Sequence, residues 1–258
     1  MSAVYAVYFS PTHSSRAIAR TIAGAMAARL GLPVAERDLT LPSGRESPLV
    51  LREEDALVLG YPVYGGRLPL PLARWLPLLT ANGTPAVLAA VYGNRAYEDA
   101  LLEGADLLSE NGFLPLAAGA FVAEHSYTAR VGAGRPGKED LELVGRFGTA
   151  CADKLLSGDR REPSLPGNRP YKERRAGSPL APLTGAACTR CGACAAVCPM
   201  GVIHPDDPAQ TDSGCLGCMA CVKTCPLDCK SFDSPRIREV TAMLEANCLQ
   251  PKEPEFFL

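Results

Sequence analysis

The 258-residue sequence has little charge imbalance: 28 acidic residues stand against 26 basic ones, a formal net charge of −2. A chain so close to neutral lacks the field that powers nucleic-acid binding or a polybasic membrane surface. It has no run of about 18 apolar residues, so no membrane-spanning helix is expected. The opening Met1-Ser2-Ala3-Val4-Tyr5 lacks a basic segment, an apolar segment and a cleavage site in series, so no secretory leader is expected either. Cysteine, by contrast, is abundant. There are 11, and eight of them fall between residues 188 and 225. A set that clustered is not a disulfide framework spread over a fold. In a chain expected in the reducing cytoplasm, it reads as metal binding. The apolar fraction of 47% allows a real core, and the length allows one or two domains.

The first part alternates strand and helix. Val4-Tyr5-Ala6-Val7-Tyr8-Phe9 is an uncharged β-branched and aromatic run, as expected of a strand covered on both faces. Similar runs recur at 56–60, at 86–91 and from Leu114 to Val122, with a more polar edge candidate at 34–37. Between them, Ile18, Ile22, Met26 and Leu30 mark one helix, closed by Gly31 and Pro33. Leu68, Leu72, Trp75 and Leu79 mark a second, which Pro77 bends. A third runs from Glu98 to Asn111, and Leu141, Val144, Phe147, Cys151 and Leu155 form the stripe of a fourth. Five strands alternating with four helices predict an α/β fold with a doubly wound parallel sheet.

Ligands of such sheets bind beyond the carboxyl ends of the strands. Three loops leave those ends. Ser10-Pro11-Thr12-His13-Ser14-Ser15 puts hydroxyls at a helix N-terminus, where free amides and the helix dipole suit a phosphate. Pro62-Val63-Tyr64-Gly65-Gly66-Arg67 sets two glycines beside an aromatic, letting backbone approach a flat ring. The third is Tyr92-Gly93-Asn94-Arg95-Ala96-Tyr97-Glu98-Asp99. Each also has a plainer reading as a cap, a turn or a plug, but three at one sheet end favour a ligand. No Gly-x-Gly-x-x-Gly follows the first strand, which argues against a dinucleotide. One phosphate loop and two aromatic loops suit a mononucleotide with a large planar ring.

These three segments resemble the FMN loops of flavodoxins. The resemblance implies that Ser10, Thr12, Ser14 and Ser15 hold the phosphate. It also implies that Tyr64 and Tyr97 flank the isoalloxazine, with Gly93 and Asn94 touching it through backbone and side chain. Pro62, Val63, Gly65, Gly66, Tyr92 and Arg95 complete the expected cradle. His13 stands where flavodoxins usually carry glycine, at a position that calls for a positive φ. Histidine tolerates that better than most residues, and His13 could also donate to a phosphate oxygen.

The cysteines form an internal repeat with every spacing kept: Cys188-x-x-Cys191-x-x-Cys194-x-x-x-Cys198-Pro199, then Cys215-x-x-Cys218-x-x-Cys221-x-x-x-Cys225-Pro226. Three thiolates in a glycine-bearing turn converge on one cubane, and the fourth serves the other. That assigns Cys188, Cys191, Cys194 and Cys225 to one 4Fe–4S cluster, and Cys215, Cys218, Cys221 and Cys198 to the second. Paired zinc sites have wider gaps and no fourth cysteine followed by proline. The segment from 187 to about 230 resembles a bacterial two-cluster ferredoxin, a small α+β unit. Of the remaining cysteines, Cys151 and Cys248 fall on apolar helix stripes, and Cys229 is expected to pack against a cluster.

The expected organisation is therefore a flavodoxin-like domain over 1–157, a proline-rich linker over 158–186, the ferredoxin unit over 187–232, and a helix and tail over 233–258. Pro163, Pro166, Pro170, Pro179 and Pro182 make the linker semi-rigid, and its net charge of +3 reads as solvation. Pro166-Gly167-Asn168-Arg169-Pro170-Tyr171 and Glu124-His125-Ser126-Tyr127 resemble segments of the flavodoxin-like/ferredoxin fusion proteins of anaerobes. The resemblance implies electron relay between two clusters and FMN, with a redox protein as donor or acceptor. The alternative is a flavin reductase acting on a small organic acceptor in a pocket walled by Tyr64, Arg67, Arg95, His125 and Tyr127. There His125 would donate the proton. A proline-rich arm also permits a homodimer that exchanges its ferredoxin units.

Overall fold

A computed structural model describes residues 2–174 and 180–258. The strands and helices of the first part alternate as the hydrophobic pattern predicts. In chain order they are β1 (Val4–Tyr8), α1 (Ser14–Leu30), β2 (Val34–Asp38), β3 (Leu49–Val50), β4 (Ala56–Pro62), α2 (Leu70–Trp75), β5 (Leu79–Thr80), β6 (Thr84–Tyr92), α3 (Ala100–Glu110), β7 (Phe113–Val122) and α4 (Lys138–Leu156). The five long strands lie parallel in the order β2-β1-β4-β6-β7, which is the flavodoxin-like winding. β4 and β6 are buried along almost their whole length because helices cover both faces of the sheet. β2 alternates between exposed and half-buried residues, as its polar sequence and edge position require.

Two core layers sandwich the sheet. On one face Ile18, Ile22 and Met26 of α1 meet Val144, Phe147 and Cys151 of α4. On the other, Leu72, Trp75, Leu101 and Leu108 pack on Leu57, Leu59 and Leu88. The second helix is shorter than its stripe suggests. It tightens into a 3₁₀ turn at Leu76–Leu78, and Leu79 opens the two-residue strand β5. Pro77 cannot supply the amide that would continue the ladder.

The cysteine-rich part contains β8 (Leu183–Thr184), α5 (Ala193–Ala196), α6 (Ala220–Thr224) and β9 (Lys230–Ser231), with β8 and β9 antiparallel. β8 was expected to be linker. Two residues carry no readable period, and it is the pairing with β9 that makes them a strand. After it come α7 (Pro235–Asn247) and β10 (Glu255–Phe257). α7 starts on a Ser234 cap that accepts from the Ile237 amide at 3.1 Å. It packs Leu244 and Cys248 on Val131, so the C-terminal helix docks on the flavodoxin-like part.

β10 corrects the five-stranded expectation. It adds a sixth, antiparallel strand beside β7. Its anchor is aromatic: Phe256 stacks on Phe147 with centroids 4.9 Å apart and planes at 16°, and Phe121 lies 5.9 Å away. A three-residue segment offers no alternation to read, so only this packing identifies it.

The linker is held down rather than solvated. Asn168 donates its backbone amide to Asp99 at 2.9 Å, and Lys172 donates its own to the same carboxylate at 2.6 Å. Arg169 and Tyr171 both bond Asp106, and Arg174 reaches Glu103 at 2.6 Å. Of the positive charge expected to be spent on water, Arg169 and Arg174 spend theirs on carboxylates of α3 and Lys172 on Glu98, whereas Arg161 stays exposed and pairs with Asp159. Arg175 and Pro179 lie outside the described residues.

Asn94 closes the tail onto the sheet. Fully buried, it donates to the carbonyls of Cys248 (2.7 Å) and Gln250 (2.8 Å) and accepts from the Lys252 amide (3.0 Å). Asn94→Ala strands two buried carbonyls and one amide, at a cost of about 2–4 kcal/mol. Hydrogen exchange at Glu255–Phe257 is expected to accelerate at least tenfold; unchanged exchange would show that β10 holds without the clamp.

Candidate functional site

The loop after β1 folds around Ser10. Its Oγ accepts the Arg16 amide at 2.9 Å and its own amide donates to Thr40 Oγ1 at 2.9 Å, so Ser10 is buried as a brace of the turn. Ser15 is buried as well, while Thr12 and Ser14 are half-buried and His13 is exposed. His13 adopts φ 70°, the left-handed conformation expected of that position. Among the described residues, the hydroxyls free to meet a ligand here are those of Thr12 and Ser14, beside amides at the positive end of α1. This turn fits a phosphate.

In the second loop Gly65 and Gly66 both take positive φ, 63° and 85°. A side chain on Gly66 would run into Glu98, so the second and third loops touch there. Pro62 ends β4, the Val63 amide donates to Val91 at 2.8 Å, and Tyr64 pairs with Arg67 across the turn. Burial, with the Cys218 and Tyr127 side chains nearby, pushes the Tyr64 hydroxyl well above its ordinary range. Arg67 turns away from the sheet end. Its guanidinium forks onto Glu103 at 2.8 and 2.9 Å and lies 4.7 Å over the Tyr171 ring. It is therefore not the pocket wall that the sequence suggested.

In the third loop Tyr92 and Tyr97 meet edge to face at 5.4 Å, and the Tyr97 hydroxyl donates to Glu255 at 2.8 Å. Arg95 pairs with Glu98 at 2.8 Å. The resemblance gave the Asn94 side chain to a flavin. The structure instead gives all three of its hydrogen bonds to the C-terminal segment, which leaves only its backbone facing the loop. Tyr64 and Tyr97 are both partly buried and pack on the core layer at this sheet end.

His125 lies against Gly93 so closely that a Cβ there would stand 2.3 Å from its Cδ2. Only glycine allows that approach. Nδ1 of His125 accepts the Tyr127 amide at 3.1 Å, which places the ring proton on Nε2. Burial, with Arg95 and Lys223 nearby, lowers its pKa to about 4. The ring is a neutral spacer between Gly93 and Tyr127, whose centroid is 5.3 Å away.

The cysteine-rich part sits on these same loops. Leu216 packs into the core layer that holds Leu57 and Trp75, and a Cβ on Gly217 would stand 3.2 Å from the Tyr127 hydroxyl. Arg45 donates to the Pro199 carbonyl at 2.6 Å, and Lys223 pairs with Glu124 at 2.9 Å. The unit therefore docks on its own chain.

Cys198, Cys215, Cys218 and Cys221 line one apolar cavity together with Val202, Ile203 and Phe232. The fourth cysteine of the first motif thus joins the first three of the second. Cys188 and Cys225 fall on the other side, each beside Cys229, whose amide donates to Cys225 Sγ at 3.2 Å. Burial pushes the Cys218 thiol up to about 12 and Cys221 to about 11. Neither is a thiolate near neutrality unless a cation in the cavity supplies the compensating charge. Four soft sulfur donors lining one apolar cavity suit an iron–sulfur cubane by their donor chemistry.

The residues missed by sequence reasoning are Glu103 and Asp106 on α3 and Leu216 between Cys215 and Cys218, while Asp99, placed by the sequence in the third loop, stands at the N-cap position of α3 and holds the linker instead. The acidic residues recur at i, i+4 and i+7, one helix face, opposite a linker rich in arginine; that match was legible. Leu216 carried no signal, because an apolar residue between cysteines packs in either direction.

Residues 187–229 match the family model of the 4Fe–4S dicluster domain. No curated protein matches the chain. Among solved structures, the chain is similar to a flavodoxin from the domain Archaea (18% identity, 60% of this chain and 99% of that one, TM-score 0.41). It is also similar to flavodoxin 2 of Bacillus cereus (17%, 59% and 99%, 0.45) and to a flavodoxin of Streptococcus pneumoniae strain TIGR4 (20%, 59% and 99%, 0.40). The chain joins a flavodoxin-like fold, defined by its own strand order, to a dicluster domain that implies two 4Fe–4S clusters. Among the described residues no helix is long and apolar enough to cross a membrane.

His125 gives a pH test. Its neutral form is favoured in the folded chain, so its contribution is complete above pH 6.5 and is lost as pH falls from there to about 4. The loss amounts to about 3 kcal/mol at most. The histidine Cε1 resonance that disappears in His125→Asn should keep its neutral-ring shift from pH 7.5 to below 5. A midpoint near 6.5 would mean the ring is solvated.

Proposed function

We propose that the chain is an electron-transfer protein relaying electrons between two 4Fe–4S clusters and an FMN bound at the carboxyl end of its sheet. The observation that carries this is that Cys215 and Cys218, which line the cavity, are close neighbours of Tyr64 and Tyr127, with a Cβ on Gly217 only 3.2 Å from the Tyr127 hydroxyl, at the sheet end where flavodoxin-like folds take their ligand. Thr12 and Ser14 with the α1 N-terminus would hold the phosphate, and Tyr64 and Tyr97 would flank the ring. Cys188, Cys191, Cys194 and Cys225 would hold one cluster, and Cys198, Cys215, Cys218 and Cys221 the other. FMN supplies a centre that accepts one or two electrons, whereas each cluster exchanges one.

The chain's own residues set the conditions. Leu216 and Tyr127 keep water from the seam between the two parts. His125 holds the 124–127 turn against Gly93, and because burial lowers its pKa to about 4 the ring is neutral near pH 7 and acts as a positioning residue rather than a general acid. The acidic face of α3 binds the linker up to Arg174. The outside partner is a one-electron redox protein.

Anaerobic purification should yield about eight irons and one flavin per chain. FMN should bind at least tenfold more tightly than riboflavin. Thr12→Ala combined with Ser14→Ala should remove that preference while leaving the iron content unchanged. A protein with full iron and no flavin after incubation with FMN would overturn the relay.

A further inference from the structure

The two sets of thiols differ in depth. Cys191 is exposed and Cys188 and Cys225 are half-buried, leaving Cys194 as the one buried member of its set. In the other set Cys198, Cys218 and Cys221 are buried and only Cys215 is half-buried.

They also face different neighbours. Leu216, Gly217 and Cys218 press on Tyr64, Tyr127 and the core beneath. Pro199 and Gly201, which follow Cys198, meet Arg45 and Pro42 of the segment after β2. Among the described residues, the hydrogen bonds and ion pair of the outer set stay within the cysteine-rich unit. The Cys188 amide donates to Gly185 at 3.1 Å, Cys225 Sγ accepts from Cys229, and Arg190 lies 4.0 Å from Asp207.

Resting on the relay proposed above, we infer that the clusters work in a fixed order. The cluster on Cys188, Cys191, Cys194 and Cys225 is the port that exchanges electrons with the external one-electron redox protein. The cluster on Cys198, Cys215, Cys218 and Cys221 is the internal link to the flavin loops. With the groups bound, Cys188, Cys191, Cys194 and Cys225 would hold the centre that takes one electron from the external protein, and Cys198, Cys215, Cys218 and Cys221 would hold the one that takes it on; two such one-electron transfers would supply the two electrons an FMN accepts, with protons from water. Tunnelling falls steeply with separation, so the centre that can approach a partner is the one under exposed Cys191.

Low-temperature EPR of the partly reduced holoprotein, with and without a soluble gadolinium chelate, tests this. The signal lost in Cys191→Ser should relax faster with the chelate. The signal lost in Cys218→Ser should ignore the chelate but shift in midpoint potential when FMN is stripped and restored. Should either cysteine variant lose all its iron, Arg190→Glu and Leu216→Ala serve instead. The first should move only the midpoint of the chelate-sensitive signal, and the second only that of the other. Equal relaxation of both signals with flavin bound overturns the port and leaves the relay standing. Absence of flavin with unequal relaxation overturns the relay and leaves the port.

Discussion

Glu103 sits where three parts of the chain meet, and its carboxylate organises all of them. It accepts from the Leu68 amide and from the fork of Arg67, which belongs to the second ligand loop, and from Arg174 of the linker. Nearly all of this pair network is removed from water. A carboxylate so placed is tolerable only because both its oxygens are filled by cationic donors, and the two guanidinium groups are tolerable only because of it. The ion pairs are therefore better understood as a specification of geometry than as a large net source of stability. They fix where the loop, α3 and the linker up to Arg174 lie relative to one another.

The second constraint is dielectric. The seam between the two parts has an apolar centre of Leu216, Tyr64 and Tyr127, flanked by the Arg45–Pro199 hydrogen bond and the Lys223–Glu124 pair, and that centre raises the cost of every unneutralised charge inside it. Burial holds the Cys218 and Cys221 thiols protonated in the absence of a metal and holds His125 neutral. The same environment strengthens the attraction of thiolates for iron once iron is present. One physical setting thus disfavours free thiolate and free imidazolium while favouring a charge-compensated cluster.

Much of this was legible beforehand, for identifiable reasons. The parallel strands announced themselves because a strand covered on both faces must be continuously apolar, as at Ala56–Gly60 and Ala86–Val91. The cysteine repeat did so because cubane geometry dictates its spacing. His13 was expected at positive φ, and that is its conformation. The failures share one cause, which is that polar side chains choose among several partners at long range. Asn94 and Arg67 lie in loops whose composition suggested ligand contact, yet each found a partner distant in sequence, Asn94 the C-terminal segment and Arg67 the α3 carboxylate. Nothing local distinguishes an arginine that lines a pocket from one that closes it.

The pairing of Glu255–Phe257 with β7 has a consequence for biosynthesis. A ribosome delivers β7 long before β10, so the edge of the nascent sheet stays open, with Phe121 and Phe147 lacking their aromatic cover, while the cysteine repeats emerge. The last strand can seal the sheet only after the segment that carries them has been threaded back across it.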